Sequence, residues 1–406
     1  MPSLLIATTV PASFPFFLPF ADHFRAAGWR VDALTGTLDG FDWRDRFDAV
    51  HAVDWSRDPL ALGRVARAAA RVRDVVQRGG YDIVHVHTPV AAFVTRWALR
   101  ELRAHGPQVV YTAHGFHFHR GGTVPRNAAF LALEKLAGRW TDWLVVINRE
   151  DEAAARRFRI VPPERIRSTP GIGVDLRRYG PGAVGDEEVR RLRAELGVGD
   201  APLILMVGEL VPGKRPVDLV QALAALAATP TRARAHLLFA GRGPLGAAVM
   251  REAHLRGLSR RVHLLGMRSD VPRLLRAAHV LALPSDREGL PRCVLEAMAM
   301  GLPVVGTRVR GTTELLEGGC GRLVSVGDVA GLAAAIREVL ESPAAAAELA
   351  ARARGRVAAY DLRTVIRLHE DLYAEALALR GRTPSMRVPP HRTTPSVAPA
   401  RSASSG

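Results

Sequence analysis

Short apolar runs alternate with amphipathic stretches along the chain, and they do so in two separate series. In the first half the runs are Ser3–Thr8, Ile83–His87, Val109–Ala113 and Leu144–Ile147, with helical patterns such as Leu60–Val76 and Ala91–Leu102 between them. Runs of four to six largely apolar residues suit strands covered on both sides, the condition of a parallel sheet. The second half repeats the scheme with Leu203–Val207, His236–Ala240, Val262–Leu265, Val280–Leu283 and Pro303–Val305, and with helical spacing at Leu332, Ile336, Val339 and Leu340. Between the halves, Thr169–Asp200 gathers Pro170, Gly171, Gly173, Gly180, Pro181 and Gly182 and then a short charged helix. That composition reads as a hinge.

The expectation is therefore an α/β protein of two doubly wound, Rossmann-like domains facing a cleft. We place them at residues 1–180 and 181–360, with a helix over 361–380 packing back toward the first domain. From Arg382 onward Pro, Ser, Thr and Arg dominate without apolar period, so 381–406 reads as a disordered tail. At 406 residues the chain exceeds one ordinary core.

Composition narrows the function classes. The two cysteines, Cys293 and Cys320, cannot build a disulfide framework, which points to a reducing compartment. The apolar N-terminus has no basic leader, and Pro15 and Pro19 interrupt it, so neither a secretory signal nor a spanning helix of ~20 residues is expected. Net charge is +16, yet only Lys135 and Lys214 are lysines and every other basic side chain is arginine. Such a skew spreads over all surfaces, and no dense basic run interleaves with aromatics. Nucleic acid is therefore not an expected partner, whereas an anionic membrane surface is compatible.

Ligands in doubly wound sheets sit at the carboxyl ends of strands. The richest such stretch is Pro284–Gly301, a loop and then a helix with Pro291 near its start and Gly301 at its stop. Glu288 stands in the loop and Glu296 lies ~7.5 Å along the axis from Pro291 at ~1.5 Å per residue. An extended nucleotide sugar laid along this helix meets both carboxylates, Glu288 at sugar hydroxyls and Glu296 at the ribose diol. The plain alternative is a helix-entrance acid and a solvated face. Lys214 follows the run Leu203–Val207 in a loop and can neutralise a diphosphate as a point charge, or be an ordinary loop residue. Gly311 and Thr312 follow the run Pro303–Val305. Gly311 permits close backbone approach, and Thr312 is a candidate cap for a helix carrying Glu314. Gly241 and Gly243 could be no more than a tight turn. His114 ends a strand at the expected cleft, where it can touch a transferring sugar. His85 and His87 end another strand. The spacing of His114, His117 and His119, with no acidic ligand nearby, argues against a metal site.

With these residues in view, the chain from about Leu4 to Leu379 resembles retaining glycosyltransferases of family 4, whose fold is called GT-B. Glu288 and Glu296 stand at the ends of that family's paired-glutamate motif, preceded by the glycine-lysine loop. Thr112–Phe118, Ile147–Asp151 and Pro170–Asp175 look like the branch that assembles capsular, exopolysaccharide and lipid-linked bacterial glycans. The resemblance implies a UDP-sugar donor, retention of anomeric configuration, no required metal or other cofactor, a polyprenyl-linked glycan acceptor, and work at the cytoplasmic face of the plasma membrane. It implies catalytic roles for Glu288, His114 and Lys214. Donor contacts would come from Glu296, Gly208, Lys214, Gly289, Leu290, Gly311 and Thr312, and acceptor-side contacts from His87, His117 and Phe116. Two departures stand out: Glu209 replaces a frequent arginine, and the Thr8–Ser13 loop has no glycine. Aromatic surface around Phe14–Phe20 adds to the lipid-linked reading. A soluble small-molecule acceptor, a sugar-nucleotide epimerase on the same fold and a non-catalytic basic binding protein are the competing readings.

Overall fold

The computed structural model describes residues 1–39, 41–56, 61–119, 121–227 and 234–380. The tail from Arg382 and the first residue of the helical pattern at Leu60 lie outside these. Two parallel sheets form the frame. The first holds β1 (Ser3–Ala7), β2 (Arg30–Thr35), β3 (Val50–Ala52), β4 (Ile83–His87), β5 (Gln108–Ala113), β6 (Trp143–Val146) and β7 (Ile166–Ser168). The second holds β8 (Leu203–Val207), β9 (His236–Ala240), β10 (Val262–Gly266), β11 (Val280–Leu283), β12 (Val304–Thr307) and β13 (Arg322–Val324). Their orders are β3-β2-β1-β4-β5-β6-β7 and β10-β9-β8-β11-β12-β13. Each therefore reverses direction once, between β1 and β4 and between β8 and β11, and each reversal opens a crevice at the carboxyl ends.

Strands β4, β8, β9 and β11 occupy the residues expected of them. Four strands were not legible. Strands β3, β7 and β13 are three residues each, too short to show a pattern. Strand β2 carries a buried charge, Asp32, which accepts from the Tyr81 hydroxyl at 2.5 Å. The helix expected over Ala91–Leu102 runs instead over Pro89–Leu99, because proline at the first helical position starts it early.

Alternate residues of the first sheet feed two cores. Leu5, Val84, Val86, Tyr111 and Leu144 pack on one face. Leu4, Ile6, Ile83, Val110 and Val145 pack on the other, with Phe14, Phe17 and Phe20. The aromatic run Phe14–Phe20 is thus mainly core rather than surface. Phe14 meets Phe41 and Phe47 edge-on at 5.0 and 5.4 Å, and of that run only Phe16 is strongly exposed. The helix Leu362–Arg380 covers the same face through Val365, Ile366, Leu372, Tyr373 and Ala376. Residues Val174, Tyr179 and Val184 join the core of the second sheet. The outgoing and returning chains meet where the Leu362 amide donates to the Val174 carbonyl at 3.0 Å. Gly173, at φ +77°, is required there because a Cβ would stand 2.6 Å from Leu362 Cα. Among the described residues no helix is long and apolar enough to cross a membrane.

Candidate active site

The crevice of the second sheet lies between the loops that follow β8 and β11. One short turn, Pro212–Lys214, closes the first loop, and Arg215 takes a left-handed conformation before the helix Pro216–Ala227. The Asp286 amide donates to the Gly213 carbonyl at 2.9 Å, so the two loops are tied by backbone. Across that tie the Lys214 ammonium donates to Glu288 Oε1 at 2.6 Å. Burial works against the Lys214 charge, but the neighbouring acidic groups, Glu288 first among them, together outweigh it and the lysine pKa is raised. Lysine and glutamate thus form a charged pair at the switch point. Gly208 opens the lysine loop at φ +147°. Gly241 and Gly243 pack against that loop: a Cβ on either would overlap the carbonyl of Gly208 or Leu210. They are therefore more than a tight turn.

Pro291 caps the helix Arg292–Met300, which ends at Gly301 with φ +70°. Glu296 is buried on it. Arg292 Nε lies 2.8 Å from Glu296 Oε1, and burial raises the glutamate pKa despite Arg292 and a hydrogen bond from Tyr179. The solvated-face alternative is thereby removed. The Arg292 guanidinium sits over the Phe16 ring of the first domain at 4.8 Å. Cys293, on the same helix, has its thiol pushed up to about 12 by burial.

Three glycine-bearing backbones from both domains stack at the cleft. A Cβ on Gly289 would overlap the His114 carbonyl, and one on Gly115 would stand 3.0 Å from Gly289 Cα. A Cβ on Gly311 would overlap the Gly289 carbonyl and approach Leu290 Cα at 2.8 Å. Leu290 itself plugs against Gly171. The contact is held by a buried polar latch. Arg310 pairs with Asp151, and its other nitrogen donates to the Phe116 carbonyl at 2.8 Å. Asp151 also accepts from the Phe116 amide and from Asn148 Nδ2, and Asn148 Nδ2 reaches the Gly289 carbonyl at 3.2 Å.

His114 is half-buried, and burial, followed by the charge of His369, lowers its pKa to about 4. It is a neutral imidazole near pH 7. Its Nε2 lies 3.0 Å from His87 Nδ1. Behind His87, which is fully buried, His85 meets the Tyr373 hydroxyl at 2.6 Å and Thr112 Oγ1 at 2.7 Å. Phe116 is also buried, stacked on Phe118 at 4.8 Å, so it offers the cleft its backbone and not its ring. His117 is half-buried beside Phe130 at 5.1 Å. In the crevice of the first sheet, Thr88 holds φ +64°, a strained value for a β-branched residue. It receives the Thr9 amide at 2.9 Å, which pins the glycine-free loop.

Thr312 is not a cap. The helix Arg310–Leu316 begins after Val309, and Thr312 is its third residue, buried with its hydroxyl unpartnered. The opening amides of Arg310, Gly311 and Thr312 have no intrahelical carbonyl to bond. Glu314 accepts from the Arg149 amide at 2.9 Å and so belongs to the domain contact. Sequence reasoning passed over Asp151 and Arg310 as a pair, although Asn148 followed by Asp151 is a readable helix cap, with the Asp151 amide donating to Asn148 Oδ1 at 2.8 Å. It also passed over Arg287, half-buried in the Glu288 loop and without a hydrogen bond or ion pair among the described residues.

Comparisons with known proteins identify the family and the fold. Residues 17–178 match the family signature described as Glycosyltransferase Family 4, and residues 201–342 match Glycosyl transferases group 1. EpsD of Bacillus subtilis (strain 168), named as a glycosyltransferase, is 32% identical over 374 residues, covering 91% of this chain and 96% of EpsD. The Escherichia coli UDP-Gal:alpha-D-GlcNAc-diphosphoundecaprenol alpha-1,3-galactosyltransferase is 29% identical over 260 residues, 64% of this chain and 66% of that enzyme. Anabaena HepE, solved in complex with UDP-glucose, superposes with a TM-score of 0.76 at 23% identity, over 93% of this chain and 100% of HepE. Two doubly wound sheets with charged loops meeting at their carboxyl ends, and a relative of this identity matched nearly end to end, make the chain a member of glycosyltransferase family 4 with the GT-B fold.

Proposed function

We propose that the chain transfers a sugar, with retention, from a UDP-sugar to a lipid-linked glycan acceptor at the cytoplasmic face of the plasma membrane. The observation that carries this reading is the Lys214–Glu288 pair at the switch point of the second sheet. A diphosphate entering the crevice competes with Glu288 for the ammonium. Lys214 then serves the departing UDP, together with the free amides of Gly311 and Thr312. Glu288 is released to accept hydrogen bonds from the sugar. Fixed positive groups aimed at a developing charge are often the largest catalytic term. His114, being neutral, orients the sugar by hydrogen bonding and not by charge. Attack from the leaving-group face retains configuration.

Lysine and amides supply the positive field, so the reading assigns no role to a metal, and a chelator should leave turnover unchanged. The UDP donor is supported by the HepE complex and the lipid-linked acceptor by the name of the E. coli relative. A screen of UDP-sugars for thermal stabilisation, followed by transfer to a polyprenyl-diphosphate sugar, tests both. Donor turnover without any acceptor would point to an epimerase. Transfer confined to water-soluble acceptors would overturn the lipid-linked part alone.

A further inference from the structure

The helix Val124–Gly138 faces solvent with the wrong chemistry for a free surface. Its outward positions Pro125, Ala128, Ala129, Ala132, Leu133 and Leu136 recur at spacings of three and four, and all are exposed. Val124 is 82% exposed, Leu133 45% and Leu136 40%. Its one carboxylate, Glu134, is turned inward onto Arg96 at 3.1 Å. The inner face is held by Asn127, whose side chain bonds the His119 amide and carbonyl at 3.2 and 2.7 Å, and by Phe130 against His117. Scattered exposed leucines are ordinary, but a continuous apolar helix face marks a contact.

What covers it is indicated by charge. Arg126 and Lys135 flank the apolar positions, and Arg139 and Arg159 stand at the helix's C-terminal end, all four exposed. None of these forms an ion pair with a carboxylate among the described residues. Lys135, Arg139 and Arg159 also line a groove with Leu136, Ile160 and Pro162. Long cationic side chains around an apolar strip match the anionic headgroups above acyl chains. A copy of this same basic face would repel it.

We propose that the helix Val124–Gly138 is a docking face for an anionic phospholipid bilayer, with Leu133, Leu136 and Val124 entering the interface and Arg126, Lys135, Arg139 and Arg159 binding headgroups. The inference rests on the lipid-linked reading of the acceptor for its purpose. The helix begins directly behind the loop that carries His114, His117 and His119. Docking there sets the cleft mouth beside the bilayer that holds a polyprenyl anchor.

The test is co-sedimentation of the full chain with phosphatidylcholine vesicles, with and without phosphatidylglycerol. The chain should sediment only with the anionic vesicles. Leu133→Glu with Leu136→Glu should abolish sedimentation. Lys135→Glu with Arg139→Glu should weaken it by at least tenfold, given the roughly fivefold expected per cation. Because the altered side chains are exposed, UDP-sugar stabilisation and transfer to a short-chain soluble acceptor analogue should persist in both variants. Equal sedimentation of wild type and variants, or none by wild type, would overturn the proposal. So would a dimer that the leucine variants dissociate. Vesicle binding without any transfer to polyprenyl acceptors would leave the docking face standing and remove the acceptor reading instead.

Discussion

Replacing Asp151 with alanine tests whether the domain latch sets the geometry of the cleft. The side chains of Arg310 and Asp151 are 4% and 1% exposed, so the change strands a guanidinium in a dry interface with only the Phe116 carbonyl for company. Removing one partner of such a pair costs about 3–5 kcal/mol. The hydrogen bonds from the Phe116 amide and Asn148 are lost as well. Because the pair spans the two domains, the cost falls on their closed arrangement and not on either sheet. At about 1.4 kcal/mol per tenfold, kcat/KM should fall by about 10²-fold or more. Removing the second charge, by adding Arg310→Met, should recover much of the lost activity and melting temperature, since burying neither ion is close to neutral. Steady-state kinetics with thermal unfolding of all three chains decides the matter. An Asp151→Ala chain within about twofold of the original, the behaviour of a solvent-exposed pair, would refute the reasoning. So would a double variant no better than the single one.

Other predictions are simpler. Lys214→Ala should lower kcat by about 10²–10³-fold, the usual loss for one donor to a developing negative charge, and near-normal turnover would remove Lys214 from the mechanism. Gly289→Ala should abolish transfer by pushing the His114 loop away, whereas Gly182→Ala, where a Cβ meets nothing within 4 Å, should be silent in the same assay. The pKa values of His85, His87, His114 and His369 are all lowered, chiefly by burial, while their unfolded counterparts keep the ordinary value near 6.5. Below about pH 6.5 the unfolded chain binds more protons than the folded one, so stability is lost as pH falls from there toward 4. Melting temperature should therefore drop by about pH 5, less so in His369→Gln, and a flat profile would contradict the neutral histidine column.

How much of this was legible depended on the physical origin of each feature. Strands such as Leu203–Val207 announced themselves because burial on both faces leaves no polar alternation. Edge strands do not carry that constraint, and three residues at Val50–Ala52 hold too little pattern to see. Gly311 reads as a place of close backbone approach, yet the sequence does not say that the Gly289 carbonyl is what approaches it. Lys214 and Glu288 each stand out by loop chemistry, but their bond spans 74 residues and depends on the switch point between β8 and β11. The Asp151–Arg310 latch spans 159 residues and two domains, with no local signature at Arg310. The Phe14–Phe20 run misled for the opposite reason: an aromatic stretch says only that something must cover it, and here Phe41 and Phe47 do.

The adjacency of Val174 and Asp361 bears on how the chain is made. The second sheet is, in effect, an insertion within the first domain, entering and leaving at one point. During synthesis the first sheet emerges early, with Ile6, Phe20 and His85 awaiting Tyr373 and its neighbours on the helix Leu362–Arg380. Closing that distance through an unfolded chain would carry a long-loop entropy cost. Once the second domain has folded as a continuous stretch, its two ends already stand side by side, and the last helix is delivered to the face that needs it.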